Sequence, residues 1–218
     1  METSRSDFKE RMAKMQDDLD ILREVGSIAA AHGSIALSEI LGKRINLLMP
    51  SVDIISSSGI PGKMNVENVG MAVISRMVTG LTGQAVFMLD ERNAYKLIEL
   101  SNNIRKEDKQ SYVITEVGIS SIKEIGNIVT SAYLNALSIM FKRAILALPP
   151  VLISGTIDEI LNIIISSSGA DECALLIEAV FEEPQEKIKG GFYLVLIQEA
   201  VVAIQEACKQ ILFELEIR

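Results

Sequence analysis

Apolar residues recur at steps of four and three near the start of the chain, where Phe8, Met12, Met15, Leu19 and Leu22 form an a/d-like seam. No Pro interrupts Ser6 to Leu41, so this stretch is predicted as one long helix, with Gly42 as its C-terminal stop. About two heptads are too few for a coiled coil. The seam fits packing on its own domain or a homodimer through the N-terminal helix. Ile45–Ile55 reads as extended, with Pro50 at an edge or bend because Pro has no N–H for a ladder. Ser56–Gly62 is a loop by composition. Met71–Val78 and Gln84–Leu89 read as a hairpin joined by Thr79–Gly83, and Asp90–Asn103 as an amphipathic helix turning Ala94, Leu97 and Ile98 inward.

After a charged connector, Ile104–Gln110, the same order returns. A second long helix is predicted over Thr115–Lys142, then an extended stretch over Ala144–Ile153 containing Pro150. Thr156–Ile165 reads as a short helix that the first half lacks. Strands over Cys173–Phe181 and Gly191–Ile197 and a closing helix over Gln198–Leu215 complete the chain. At an offset of one hundred, Glu24 meets Glu124, Gly26 meets Gly126, Ala36-Leu37-Ser38 meets Ala136-Leu137-Ser138, and Pro50 meets Pro150. Later the offset is 107, pairing Gly83 with Gly190 and Leu89 with Leu196, as the extra helix requires.

Such ordered matches mark an internal duplication. The fold expected is α+β with pseudo-two-fold symmetry, an antiparallel sheet packed with long helices, since each half alone would expose a sheet face. Residues 1–16 read as an N-terminal helical extension, and 17–218 as a single domain of two repeats, about 17–103 and 117–215.

Composition narrows the functions. Of 218 residues, 49% are apolar and 23% charged, which is enough for a packed core. A net charge of −8 argues against nucleic acid, whose phosphates need a basic surface. Cys173 and Cys208 have no CxxC neighbour and read as core thiols, not as a zinc site or disulfide framework. There is no apolar h-region at the start and no uninterrupted apolar run of ~18 residues, so membrane insertion is not expected and the reading is cytoplasmic.

The candidate chemistry lies on the second long helix. Ile122, Ile125, Val129, Ala132, Ala136 and Met140 form its expected inner stripe. Ser120, Glu124, Asn127, Ser131, Asn135 and Ser138 form a polar one. Ordinary solvated faces use Lys, Glu and Arg in i,i+4 pairs, whereas this stripe is small and uncharged around one carboxylate, which lets another surface approach. The first helix repeats it with Asp20, Glu24, Ser27, Ser34 and Ser38. His32, the sole His, has no second His or nearby Cys and reads as a helix-surface residue. Lys189-Gly190-Gly191 lacks phosphate-loop spacing and reads as a turn, and Glu182–Glu186 as a charged hairpin tip.

The pattern Asp/Ser-x3-Glu-x2-Asn-x22-Pro resembles the signature of the CheC, CheX and FliY phosphatases of chemotaxis. Asp20, Glu24 and Pro50 fit one copy, and Ser120, Glu124, Asn127 and Pro150 fit the other. Two copies resemble CheC or the middle of FliY. The resemblance implies hydrolysis of the aspartyl-phosphate of the response regulator CheY by an in-line water. Glu124 and Asn127 would be the catalytic pair, with Asp20, Ser120 and Ser131 facing the partner. It implies no cofactor of the chain's own, the Mg²⁺ being supplied by the phosphorylated regulator. Ser27 stands where the family has Asn, and its hydroxyl is about two bonds shorter, so the Glu24/Ser27 site is expected to be degenerate.

CheC proteins also bind CheD through an Asp shortly after the second Pro. Gly155 falls near that position here, and Asp158 is the nearest acid. The alternative is a FliY-like flagellar-switch or adaptor protein that binds CheY with little hydrolysis. The end at Arg218, without FliY's added switch-binding domain, favours the phosphatase. A third reading is a duplicated regulatory domain with a different partner.

Overall fold

The computed structural model describes residues 2–48, 50–56, 68–101, 116–167, 173–197 and 199–207, with side chains in the first helix described from Asp20 onward. The side chains of most of the Phe8–Leu22 seam, the Ser56–Gly62 loop beyond its first residue, the Ile104–Gln110 connector, Cys208 and the end of the closing helix lie outside them.

The chain runs α1 (Glu2–Leu41), β1 (Asn46–Leu47), β2 (Ser51–Ser56), β3 (Val69–Thr79), β4 (Gly83–Asp90) and α2 (Glu91–Ser101). It continues α3 (Glu116–Met140), β5 (Leu146–Ala147), β6 (Val151–Thr156), α4 (Ile157–Ser167), β7 (Cys173–Glu183) and β8 (Ile188–Leu196). A last helix, α5, covers 199–207.

All eight strands form one antiparallel sheet in the order β1-β7-β8-β4-β3-β5, with β2 continuing β1 along β7 and β6 continuing β5 along β3. The duplication is visible in this order. Hairpins β3–β4 and β7–β8 meet at the centre through β4 and β8. Each extended Pro segment crosses to the other repeat: β1 and β2 pair with β7, and β5 and β6 pair with β3. Pro50 and Pro150 fall between the two short strands of each edge, where a missing N–H removes no central ladder bond.

Helices α1 and α3 lie side by side on one face of the sheet. Val25, Ala29, Leu37, Ile122, Ile125, Val129 and Leu137 are buried there against Phe87, Phe181 and Phe192. The three rings cluster at the sheet centre, Phe87 and Phe181 stacked with centroids 5.6 Å apart and Phe192 tilted against Phe181 at 5.1 Å. On the opposite face α4 buries Ile157, Ile160, Leu161 and Ile164 over Ala72, Val86, Met88 and Val195. The inner stripe of α3 is as expected, except that Ala132 and Met140 are half-buried and Tyr133, Leu134 and Leu137 join the core.

Both long helices end the same way. The Ser38 hydroxyl donates to the Lys43 carbonyl at 2.5 Å, and the Ser138 hydroxyl to the Arg143 carbonyl at 2.5 Å. The left-handed residue after the helix is Gly42 at φ 59° in the first repeat and Lys142 at φ 49° in the second. Ser138, expected on the polar face, is therefore spent on a cap. Lys189-Gly190-Gly191 is also corrected: it lies inside β8, and the turn falls at 184–187. These glycines serve close packing, since a Cβ on Gly190 would meet the Phe181 ring at 2.6 Å and one on Gly191 the Tyr193 ring at 2.5 Å.

The repeated glycines of the helices have a similar reason. A Cβ on Gly126 would stand 2.6 Å from Cβ of Val73 in β3, and one on Gly26 would collide with Ile177 in β7. Gly126→Ala should therefore destabilise by about 1–3 kcal/mol through overpacking. On helix propensity alone the same change would stabilise by about 1 kcal/mol. The sign of the shift in a urea midpoint separates the two.

Helix α4 starts with a reciprocal capping box: Thr156 N–H donates to the Glu159 carboxylate at 2.9 Å, and Glu159 N–H to the Thr156 hydroxyl at 3.2 Å. The backbone bond, then the side-chain bond, hold the Glu159 carboxyl below its ordinary 4.5. A depressed folded pKa contributes stability above the unfolded value and loses it as pH falls through the folded value. Thermal midpoints measured from pH 6 down to 2 should fall less steeply for Glu159→Gln than for the parent.

Candidate functional site

Gly126 fixes how α3 is turned. With its bare Cα against Val73, the helical step of about 100° per residue sends Ser120, Glu124, Asn127 and Ser131 to one flank of the outward face. The exposures agree: Ser120, Glu124 and Ser131 are exposed, and Asn127 is half-buried at the edge of the helix–sheet contact. Glu124 and Asn127 are adjacent at i,i+3. Among the described residues neither side chain has a hydrogen-bond or ion-pair partner, so a carboxylate and a carboxamide face outward together.

Gly26 over Ile177 orients α1 equivalently. Asp20 and Glu24 are exposed and Ser27 is half-buried, matching Ser120, Glu124 and Asn127. One difference goes beyond Ser27. Arg23 binds Asp20 at 2.6 Å in the first repeat, where the second has Lys123 and Ser120. Such an exposed pair is worth roughly 0–1 kcal/mol, so it matters for where charges point more than for stability. His32 is on the surface of α1, as read from the sequence.

The outward face of α3 is more apolar than its polar stripe suggested. Ile128 is 40% exposed and Ile139 76% exposed, beside Ser131 and Asn135. The signal in the sequence is the pair Ile128 and Ile139 off the core stripe. Beyond the helix end, Leu146, Leu148 and Val151 on the sheet edge are also exposed. The site is thus a convex helix surface mixing small polar and apolar side chains. A cavity of about 190 Å³ elsewhere, lined by Met88, Asp90, Lys189, Gly191 and Tyr193 among others, contains none of the site residues. A convex face fits a macromolecular partner better than a small molecule, which takes a concave pocket. No described helix is long and apolar enough to cross a membrane.

Known proteins resemble this chain in sequence and in fold. The CheC-like family model matches residues 117–154, the segment from the start of α3 through the second Pro. The CheY-P phosphatase CheC of Bacillus subtilis (strain 168) is 30% identical over 129 residues, 58% of this chain and 61% of the relative. The chain thus spans about three-fifths of that relative's length. FliY from Thermotoga maritima has the same fold, with a TM-score of 0.73 at 20% identity over 89% of this chain and 96% of that one. The CheX of the CheX–CheY–BeF3–Mg²⁺ complex from Borrelia burgdorferi is more distant, with a TM-score of 0.50 at 19% identity over 79% of this chain and 96% of that one. The chain is thus similar to the CheC-like family over residues 117–154, similar to CheC over about three-fifths of that relative, and shares its fold with FliY.

Proposed function

We propose that the chain hydrolyses the aspartyl-phosphate of a CheY-type response regulator, mainly through Glu124 and Asn127. The observation that carries this reading is the outward-facing Glu124/Asn127 pair on α3, within the segment that matches the CheC-like family. The B. subtilis relative acts on CheY-P, and the CheX neighbour was captured with CheY.

The chemistry accounts for the residue types. An acyl phosphate is already reactive, and the regulator brings its own Mg²⁺ and Lys to balance phosphoryl charge. What the partner must add is order in the attacking water, because phosphoryl transfer depends on in-line positioning. An Asn amide both accepts and donates, so Asn127 can hold a water by two hydrogen bonds with its lone pair toward phosphorus. Glu124, one turn away, pairs with the regulator's Lys and sets the docking angle. No nucleophile of this chain is consumed. Ser27 has one donor on a shorter arm, so the first repeat binds without positioning the water.

Phosphate release from an acyl-phosphorylated CheY with Mg²⁺ tests the assignment. Asn127→Ala should lower kcat by roughly 10²-fold, equivalent to ~3 kcal/mol, by analogy with removal of one oxyanion donor. Ser27→Ala should leave the rate within about two-fold. Equal losses from the two variants would refute the asymmetry. A wild-type chain that binds the regulator while leaving the phosphate's lifetime unchanged would favour a FliY-like adaptor.

Ser27→Asn restores the reach of the first site. It should give measurable activity in an Asn127→Ala background, well below that of the Asn127 site.

A further inference from the structure

Directly behind Asn127, α3 and β3 bury between them a pair of hydroxyls that α1 and β7 lack. Thr130 and Ser75 are both buried, and their oxygens are 3.1 Å apart across the contact of α3 with β3. The Thr130 hydroxyl also lies 2.7 Å from the Gly126 carbonyl and 3.3 Å from the Asn127 carbonyl. With one proton to give, Thr130 donates to Gly126 and accepts from Ser75. A directional chain thus runs from strand β3 to the turn that carries Asn127.

The equivalent positions follow from the glycine contacts. Gly26 meets Ile177 as Gly126 meets Val73, so four residues on in the helix and two on in the strand give Ala30 and Ala179. Both alanines are buried. Helix α1 therefore rests on β7 by packing alone at this point. The helix that keeps Asn is the one with the polar tie.

We infer that Thr130 and Ser75 are positioning residues for Asn127, fixing the rotation of α3 about its axis so that the amide meets the attacking water in line. This rests on the phosphatase reading above. A side-chain tip about 6 Å from a helix axis moves about 1 Å for a 10° rotation. A misplacement of that size costs about 10²-fold in a positioning-limited step. Apolar packing tolerates such a rotation more readily than a hydrogen bond, whose strength falls steeply with angle.

The test uses the full chain with an acyl-phosphorylated receiver domain and Mg²⁺. Thr130→Val with Ser75→Ala removes both hydroxyls while nearly keeping their shape, a change close to neutral for folding. The expected result is a tenfold or greater loss of kcat, with KM within about two-fold and the thermal midpoint within a few degrees. Thr130→Ser keeps the hydroxyl and should retain most of the turnover. An unchanged kcat in the double variant, or kcat, KM and thermal midpoint worsening together, would overturn the inference.

A second readout does not depend on hydrolysis. Relaxation of the Asn127 side-chain ¹⁵N should show lower order in the double variant than in the parent, and equal order would overturn the inference. If the parent fails to release phosphate, the phosphatase reading falls, while this measurement still decides whether the hydroxyl pair holds the amide.

Discussion

The approach of each long helix to the sheet is the contact on which the rest of the structure depends. Gly126 sits where its missing side chain would overlap Val73, and Gly26 where it would overlap Ile177. Bringing a helix backbone that close sets which face of each helix meets the sheet, because every larger side chain on either side is already in contact. Ile122, Ile125 and Val129 are then driven inward, while Glu124 and Asn127 emerge on the opposite side. The outward pair is thus placed by a residue that takes no part in its chemistry.

The exchange of edge strands gives that placement its stiffness. Each repeat sends its Pro-containing segment to the other's hairpin, so neither half owns a complete sheet. Separating the repeats would break the ladders on β7 and β3, the central pairing of β4 with β8 and the α1–α3 contact. The two polar faces therefore ride on one rigid frame, and one site can diverge while its structural role persists. Ser27 in place of Asn and Ala30 in place of Thr fit that history, since neither disturbs the packing that α1 contributes.

Period and repetition made most of this frame legible. The elements, the duplication and the edge position of both prolines follow from patterns within about ten residues and from one offset between halves. The strand exchange was not legible, because nothing local says whether β2 pairs with its own hairpin or the other one. Lys189-Gly190-Gly191 misled for a related reason. Glycine signals a turn locally, but here Phe181 and Tyr193 lie over those bare positions within the sheet. Ser38 and Ser138 were read with the polar stripe, although their hydroxyls close helix ends on carbonyls five residues away.

At the candidate site, the outward pairing of Glu124 and Asn127 was legible because their spacing on a helix is a local property. Ser75 and Thr130 could not, since 55 residues separate them and each alone reads as an ordinary polar residue in an apolar run. The same difference bears on how such a site can be lost. A hydroxyl pair buried under a helix costs little to replace with two alanines, because both partners leave together and no donor is orphaned. Under the proposed function, loss of the Asn amide removes any reason to keep the tie. Loss of the tie first would leave an Asn that is present but loosely aimed. Ser27 and Ala30 on α1, with Ala179 beneath them on β7, are what either order of events would leave behind.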